Sequence, residues 1–328
     1  FIRVASEVTR HKPIIAIKSG TTSAGSKAVS SHTGTLAGSE AAYDAAFKQA
    51  GILRAGSVQD LFDIAQAFAR QPLIDGDGIG VITNAGGPGI MASDAIEHAG
   101  LRLAALTQET KQALQAKLPP AASVANPVDV LGDAYADRYA MAIDLVLADP
   151  NVNALMVVLT PQTMTQIPET ADALGTISKK YGKPVFGAFM GDAAIAKGVQ
   201  VLRSHDVPNY QVPERCVKAI AAMRDQRNWL NTPPLQVETV EVDKAKVADL
   251  FARTRSEGRV TMGDAEAREV LEAYGIPLPK SGVAATADEA VAMAEEIGYP
   301  VVMKIASPDI LHKSDIGGIK LNIASASE

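Results

Sequence analysis

The stretch Ile79-Gly-Val-Ile-Thr-Asn-Ala-Gly-Gly-Pro-Gly-Ile90 begins as a short apolar run and ends in a glycine-rich turn. An apolar run of this length followed by glycines is typical of a buried parallel strand that leads into a helix. The turn does not have the GxGxxG spacing of dinucleotide-binding folds. Its glycines could let backbone N–H groups approach a phosphate at the helix start, or they could serve only tight packing. Asn84, Gly86, Gly87 and Gly89 are the candidate phosphate-binding residues.

Residues 76–230 extend this pattern into alternating strands and helices, which predicts a doubly wound α/β unit. Strands are predicted at residues 79–83, 102–104, 154–159 and 184–189, and helices at residues 89–99, 108–117, 138–147, 167–181, 193–204 and 213–229. Ligands of open parallel sheets bind at the carboxyl ends of the strands. Asn126, Asp129 and Gln162 are therefore candidates for lining a site there, although Asp129 could equally cap a turn.

An internal repeat organises the amino-terminal part of the chain. Residues 12–20, Lys-Pro-Ile-Ile-Ala-Ile-Lys-Ser-Gly, are similar to residues 183–191, Lys-Pro-Val-Phe-Gly-Ala-Phe-Met-Gly. Each segment precedes a loop, a helix, a short strand and an amphipathic helix. Residues 1–75 are therefore predicted to be the second half of the same kind of domain that residues 76–230 contain whole, with helices at 2–10, 39–50 and 58–70.

His32 lies in the first copy, where the second copy has Gly191 and Asp192 and no histidine. Its neighbours are small residues, so the imidazole is expected to be accessible. A neutral imidazole, with an ordinary pKa near 6.5, can attack phosphorus without a strong base. The alternative is a loop histidine that only caps or bridges turns.

Residues 231–257 are predicted to form a polar linker and a charged helix, and residues 258–328 a third unit. Asp264 is predicted to cap a helix, and strands are predicted at residues 300–305 and 318–323. Lys304 ends the first of these apolar strands, where a charge is costly without a partner. A nucleotide phosphate could be that partner, or the lysine could extend to solvent from an edge strand. The next loop carries His312, Lys313, Gly317 and Gly318.

Composition narrows the class of protein. The 328 residues are 47% hydrophobic, so a sizeable core is available. Their net charge of −6 argues against nucleic-acid or anionic-membrane partners. No apolar run approaches the roughly 18 residues of a membrane helix. Cys216 is the single cysteine, so an internal disulfide is excluded and a cytoplasmic location is expected.

The segment Ser-Ser-His-Thr-Gly-Thr-Leu-Ala-Gly at residues 30–38, together with residues 12–20, resembles the phosphohistidine segment of NDP-forming acyl-CoA synthetases, of the succinyl-CoA synthetase superfamily. Residues 299–318 resemble the start of the ATP-grasp domain of the same enzymes. The resemblance implies an α/β protein with flavodoxin-like doubly wound parallel sheets, one partial and one complete. The first part of an α+β ATP-grasp domain is expected to follow.

The resemblance also implies a reaction: acid, CoA and ATP give acyl-CoA, ADP and phosphate, reversibly, through an acyl phosphate and a phosphohistidine. It implies that His32 carries the phosphoryl group, that the helix after the glycine-rich turn stabilises it, and that His312 relays it to the nucleotide. The implied nucleotide-binding residues are Lys304, Lys313, Gly317 and Gly318. Coenzyme A, ATP or ADP, Mg²⁺ and a small carboxylic acid are the implied ligands, and the protein is a candidate homo-oligomer.

The chain is expected to be a fragment without the CoA-binding domain and most of the ATP-grasp domain, and therefore inactive alone. The Mg²⁺ ligands are expected beyond Glu328. One alternative is a regulatory ligand-sensing platform fused to a protein acetyltransferase, and another is a binding or assembly module without chemistry. The presence of His32 favours the synthetase.

Overall fold

The computed structural model describes residues 1–22, 24, 25, 27, 40–233, 240–307, 310 and 313–328. These residues form two compact units, Phe1–Pro234 and Leu235–Glu328. Within the described ranges, no helix combines the length and apolar character that crossing a membrane requires.

The first repeat copy contains a small parallel sheet with helices before, between and after its strands. Among its described residues lie, in chain order, α1 (Ile2–Thr9), β1 (Ile15–Ile17), α2 (Glu40–Ala50), β2 (Leu53–Ala55) and α3 (Val58–Arg70). The strands β1 and β2 pair in parallel. The Ser57 hydroxyl accepts a hydrogen bond from the Asp60 N–H and so caps α3, which spans the predicted residues 58–70.

The second copy is built on a five-stranded parallel sheet. Its strands are β3 (Gly78–Thr83), β4 (Arg102–Leu103), β5 (Val128–Asp129), β6 (Ala154–Leu159) and β7 (Val185–Phe189). The order is β4-β3-β6-β7, and β5 pairs with β3. The strand β4 lies beside the amino end of β3, and β5 lies on the carboxyl end of β3, at Ile82 and Thr83. Every residue of β3, β6 and β7 is buried.

Helices cover both faces of this sheet, which confirms the doubly wound prediction. They are α4 (Gly86–His98), α5 (Gln108–Gln115), α6 (Ala136–Ala148), α7 (Ile167–Ser178), α8 (Ala196–Ser204), preceded by a 3₁₀ turn at Asp192–Ile195, and α9 (Pro213–Asn231). Leu114, Tyr139 and Leu174 belong to the hydrophobic core on one face. Ile96 and Met223 belong to the core on the other face.

The repeat copies share one order of elements and pack against each other. In the second copy the Gly187 N–H donates to the Pro208 carbonyl and the Tyr210 N–H donates to the Gly187 carbonyl, so Asn209 forms a parallel bridge to β7. This bridge corresponds to the pairing of β2 with β1. The final helices of the two copies, α3 and α9, are in contact.

Trp229, near the end of α9, joins the two copies. Its indole N–H donates to the Thr9 hydroxyl at 3.0 Å, and the Arg10 guanidinium lies 4.2 Å from its ring centroid. Gly51 has a φ of +67°, and a Cβ at this position would lie 2.2 Å from the indole. Only glycine therefore fits between α2 and this tryptophan.

The second unit contains α10 (Lys244–Ser256), α11 (Asp264–Ala273), α12 (Ala287–Ile297) and the antiparallel strands β8 (Val301–Lys304) and β9 (Ile319–Ile323). The side chains of Asp243 and Thr286 cap α10 and α12. The prediction that Asp264 caps a helix is wrong, because the N-cap is Gly263 and Asp264 is the first helical residue.

One further predicted boundary is wrong, and one strand was not predicted. The helix α4 begins at Gly86 and not at Gly89, because glycine and proline are tolerated in a first turn whose N–H groups have no partner within the helix. The strand β5 was not predicted, because its two residues give no periodic signal and owe their conformation to pairing with β3.

Candidate functional site

The carboxyl edge of the five-stranded sheet gathers the loops that follow its strands. Asn84 follows β3 and is 4% exposed. Its side-chain amide donates to the Thr160 carbonyl at 2.8 Å and accepts from the Thr160 N–H at 2.9 Å. Thr160 follows the neighbouring strand β6. The Asn84 side chain is thus occupied in holding two loops together, which favours a supporting role over direct contact with phosphate.

The start of α4 presents bare backbone at this edge. Ala85 is the N-cap and makes no side-chain capping hydrogen bond, and the first turn contains no acidic residue. Gly86 and Gly87 are exposed, and a Cβ added to either would meet no described atom within 4 Å. The first N–H groups of a helix have no acceptor within it, and they lie at the positive end of its dipole. An anion can therefore approach these two residues closely.

Gly89 has a different role. Its N–H donates to the Ala85 carbonyl at 3.2 Å, so it is part of the helix hydrogen-bond ladder. A Cβ at Gly89 would lie 3.0 Å from the Thr83 Cγ2 atom. The Thr83 hydroxyl in turn accepts from the Ala85 N–H at 3.0 Å. Gly89 therefore allows α4 to pack closely on the end of β3, and it does not offer a free donor.

Asn126 supports β3 from the side. Its Oδ1 accepts from the Val81 N–H at 2.9 Å, and its Nδ2 donates to the Ile79 carbonyl at 2.7 Å and the Ala104 carbonyl at 3.0 Å. These bonds occupy the gap on β3 between β4 and β5. As with Asn84, the amide is fully engaged with backbone, so a structural role is favoured.

Asp129, at the end of β5, closes the turn that follows. Its Oδ1 accepts from the Leu131 N–H at 2.9 Å, and Leu131 has a φ of +71°. This geometry matches the alternative prediction of a turn cap. Beneath it the buried Tyr139 hydroxyl donates to the Val158 carbonyl, and burial together with the charge of Asp129 raises the pKa of the Tyr139 phenol.

Gln162 has an exposed side chain at this edge. Its Nε2 donates to the Thr160 hydroxyl at 3.2 Å. A Cβ at Gly132, in the loop after β5, would lie 3.8 Å from both the Asn84 carbonyl and the Gln162 Cγ atom. The loops after β3, β5 and β6 therefore meet in one place. Thr160 and Gly132 were not among the candidate residues predicted from the sequence, although both lie in loops near the carboxyl ends of strands.

A second cluster of candidates lies in the second unit. The Lys304 and Lys313 ammonium groups both contact the Asp264 Oδ2 atom, at 2.5 and 3.0 Å. Hydrogen bonds from Lys304 and Lys313 lower the pKa of the Asp264 carboxyl. Lys304 ends the apolar strand β8 as predicted, but three of the four residues of β8 are exposed, so burial in apolar surroundings does not by itself demand a partner for this charge. Its partner in the structure is a carboxylate.

The predicted glycines form the turn that connects this cluster to β9. Gly317 has a φ of +69°, which side-chain-bearing residues rarely adopt. The Gly318 N–H donates to the Lys313 carbonyl at 2.8 Å, and the Ile305 N–H donates to the Gly318 carbonyl at 2.9 Å. The structure thus brings Lys304, Lys313, Gly317 and Gly318 together. The two candidate phosphohistidines, His32 and His312, lie outside the described residues.

Three family models match successive parts of the chain. A succinyl-CoA ligase like flavodoxin domain matches residues 1–68, a Ligase-CoA domain matches residues 79–233, and an ATP-grasp domain matches residues 253–328. The 4-hydroxybutyrate–CoA ligase [ADP-forming] of Nitrosopumilus maritimus is 39% identical over 330 residues, which cover 100% of this chain and 47% of that protein. The chain belongs to the ADP-forming acyl-CoA synthetase family.

Other relatives point to the same family. Acetate–CoA ligase [ADP-forming] I of Archaeoglobus fulgidus is 39% identical over 98% of this chain and 46% of its own length. A solved structure of the dinucleotide forming acetyl-coenzyme A synthetase 1 of Ca. Korarchaeum cryptofilum, in complex with phosphate and ADP, is similar with a TM-score of 0.66. It is 37% identical, with 70% of this chain and 51% of that one covered. The chain spans about half the length of the curated relatives it matches.

Proposed function

We propose that this chain is part of an ADP-forming acyl-CoA synthetase. Such an enzyme converts a carboxylic acid, CoA and ATP into acyl-CoA, ADP and phosphate, and the reverse, through an acyl phosphate and a phosphohistidine. The observation that carries the proposal is the open start of α4, at Gly86 and Gly87, on the sheet edge of a chain whose relatives are CoA ligases. These relatives do not favour the regulatory alternative.

His32 is the proposed carrier of the phosphoryl group. A ring nitrogen attacks the phosphorus of the acyl phosphate, the bond from phosphorus to the acyl oxygen breaks, and the carboxylate leaves with that electron pair. The N–H groups of Gly86 and Gly87 would bind the phosphoryl oxygens, as helix starts bind anions. Asn84 and Thr160 would keep this helix start at a fixed distance from the neighbouring loop.

The second unit is proposed to bind the nucleotide that takes part in the same phosphoryl transfer. Lys304 and Lys313 would bind nucleotide phosphates, the turn at Gly317 and Gly318 would cover them, and His312 would pass the phosphoryl group to ADP. Support comes from the ATP-grasp match and from the convergence of both lysines in the fold.

Coenzyme A, ATP or ADP and a small carboxylic acid are the proposed ligands of the whole protein, and Mg²⁺ is proposed as the nucleotide's counter-ion, supplying charge neutralisation. Within the part of the chain that the structure describes, no three His, Cys, Asp or Glu side chains are arranged to hold a metal.

The test is formation of acid-labile, base-stable phosphate on a protein of full family length that contains this chain. Acyl-CoA and labelled phosphate should label the wild-type protein and leave His32→Ala unlabelled. His98→Ala is the matched control, because His98 is an exposed histidine at the end of α4, and it should label normally. Label that persists in His32→Ala, or a wild-type protein that takes no label, would contradict the proposed function.

A further inference from the structure

Two lysines from separate parts of the second unit contact the same carboxylate oxygen of Asp264. Asp264 is the first residue of α11, Lys304 is the last residue of β8, and Lys313 precedes the turn into β9. Both ammonium groups contact the same oxygen, Oδ2 of Asp264, so they must lie close to each other. Two cations at this separation repel, and a carboxylate between them offsets the repulsion.

The cluster leaves hydrogen-bonding capacity on both lysines. An ammonium group has three donors, so each lysine retains donors beyond the one directed at Asp264. One carboxylate facing two ammonium groups leaves a net charge of +1. The Lys304 side chain is 52% exposed, whereas that of Lys313 is 13% exposed. The cluster can therefore still bind a phosphate from the solvent side.

Asp264 is well suited to fix these lysines. It belongs to the first turn of α11, where the helix dipole favours a negative charge. The Glu266 carboxylate anchors the same helix start by accepting from the Gly263 N–H at 2.8 Å. The backbone of Lys313 is also held in place, because its carbonyl accepts a hydrogen bond from the Gly318 N–H. The helix start that carries Asp264 and the backbone of Lys313 are thus both held in place by hydrogen bonds that involve backbone groups.

We infer that Asp264 is a positioning residue for nucleotide binding: it holds the Lys304 and Lys313 ammonium groups together so that both meet the nucleotide phosphates. This inference rests on the proposed function. It assigns Asp264 no contact with the reacting atoms. Its removal should therefore weaken binding of the nucleotide while the transfer step, once the nucleotide is bound, stays largely unchanged.

The experiment compares Asp264→Asn with wild type in a protein of full family length that contains this chain. The KM for ADP in acyl-CoA-driven ATP synthesis should rise roughly tenfold, because the lysines lose their preorganisation, and kcat should change little. Asp264→Glu keeps the charge and should recover part of the loss. Asp288→Asn, an exposed carboxylate in the first turn of α12, is the matched control and should leave the KM unchanged.

Two further measurements separate the outcomes. In a Lys313→Met background, Asp264→Asn should raise the KM by a smaller factor, because one of the two positioned groups is already gone. An unchanged or lower KM in Asp264→Asn would overturn the inference, as would a thermal unfolding shift with no change in KM. Labelling of His32 from acyl-CoA and phosphate requires no nucleotide, so it should be normal in Asp264→Asn. Failure of that labelling in wild type would refute the proposed function instead.

Discussion

Asn84 and Thr160 exchange two hydrogen bonds across the carboxyl ends of neighbouring strands, one from the side-chain amide to the Thr160 carbonyl and one from the Thr160 N–H to the amide oxygen. The strands β3 and β6 pair only up to Thr83 and Val158. The asparagine therefore continues the pairing of these strands beyond the point where their own ladder ends.

Asn84→Ala is expected to lower the free energy of unfolding of the first unit by about 1–3 kcal/mol, because the partly buried N–H and carbonyl of Thr160 each lose a hydrogen bond. Urea denaturation measures this change. Thr160→Val is the control, because it removes the hydroxyl and keeps both backbone bonds, so it should cost less. Equal losses in the two variants would show that the backbone exchange is not what stabilises this edge.

Gly87→Asp is expected to abolish most phosphate binding while preserving the fold. The position has room for a side chain, and an acidic residue in a first turn stabilises a helix by about 0.3–1 kcal/mol. The same charge repels a phosphoryl group, which should weaken labelling of His32 by more than about tenfold at limiting phosphate.

The control for this charge effect is Gly87→Asn, which has nearly the same shape and no charge. It should label far better than Gly87→Asp in the same assay. If both variants label like wild type, the start of α4 does not bind the phosphoryl group, and the assignment of Gly86 and Gly87 fails.

Asp63→Asn is expected to destabilise the contact between α3 and α9 by about 1.5–3 kcal/mol, the usual contribution of hydrogen bonds to a charged group. Arg215 binds Asp63 with two hydrogen bonds, of 2.7 and 2.8 Å. Asp60 is a comparable carboxylate, because its side chain is 11% exposed like that of Asp63. Its ion pair is one bond to the more exposed Lys218, and its other partners are the Ser57 side chain and the Gly56 backbone, to which an asparagine can still bond. Asp60→Asn should therefore cost less in the same denaturation measurement, and the reverse order would contradict the prediction.

Asp149 is expected to make the first unit sensitive to acid. Burial raises the pKa of Asp149, but hydrogen bonds from Thr107, Thr110 and Asn151 outweigh burial and lower it below the ordinary 3.8. A carboxyl with a lowered pKa contributes stability that is complete above its unfolded value and disappears as the pH falls through its folded value.

The measurement is the stability difference between wild type and Asp149→Asn as a function of pH. This difference should be constant above about pH 4 and should shrink as the pH is lowered further. A difference that grows on acidification would contradict the sign of the pKa shift.

Much of the fold was predictable because its signals are local. The helix at Val58–Arg70 has the predicted bounds, and it begins after Ser57, whose hydroxyl caps it. The strand Ala154–Leu159 also has its predicted bounds, because all six residues are apolar and all are buried. The strands and helices that the two repeat copies have in common were predictable from the same kinds of local sequence pattern.

The site was predictable only in part, because its contacts are between residues distant in the sequence. The sequence indicated Asn84, Asn126 and Gln162 as residues of one sheet edge, but the amide contacts with Thr160 and with β3 depend on how the strands pair. The contact of Asp264 with its two lysines was missed for the same reason, since these partners lie 40 and 49 positions away. No local pattern encodes such a contact.

Trp229 is the single tryptophan of the chain, and it lies where the two repeat copies meet, under Arg10 and against Thr9 and Gly51. The emission of a tryptophan depends on the polarity and the charges around its ring. Trp229 is therefore an intrinsic fluorophore at the contact between the repeat copy that carries His32 and the second repeat copy. Separation of the copies can be followed by a red shift of that emission, without any added label.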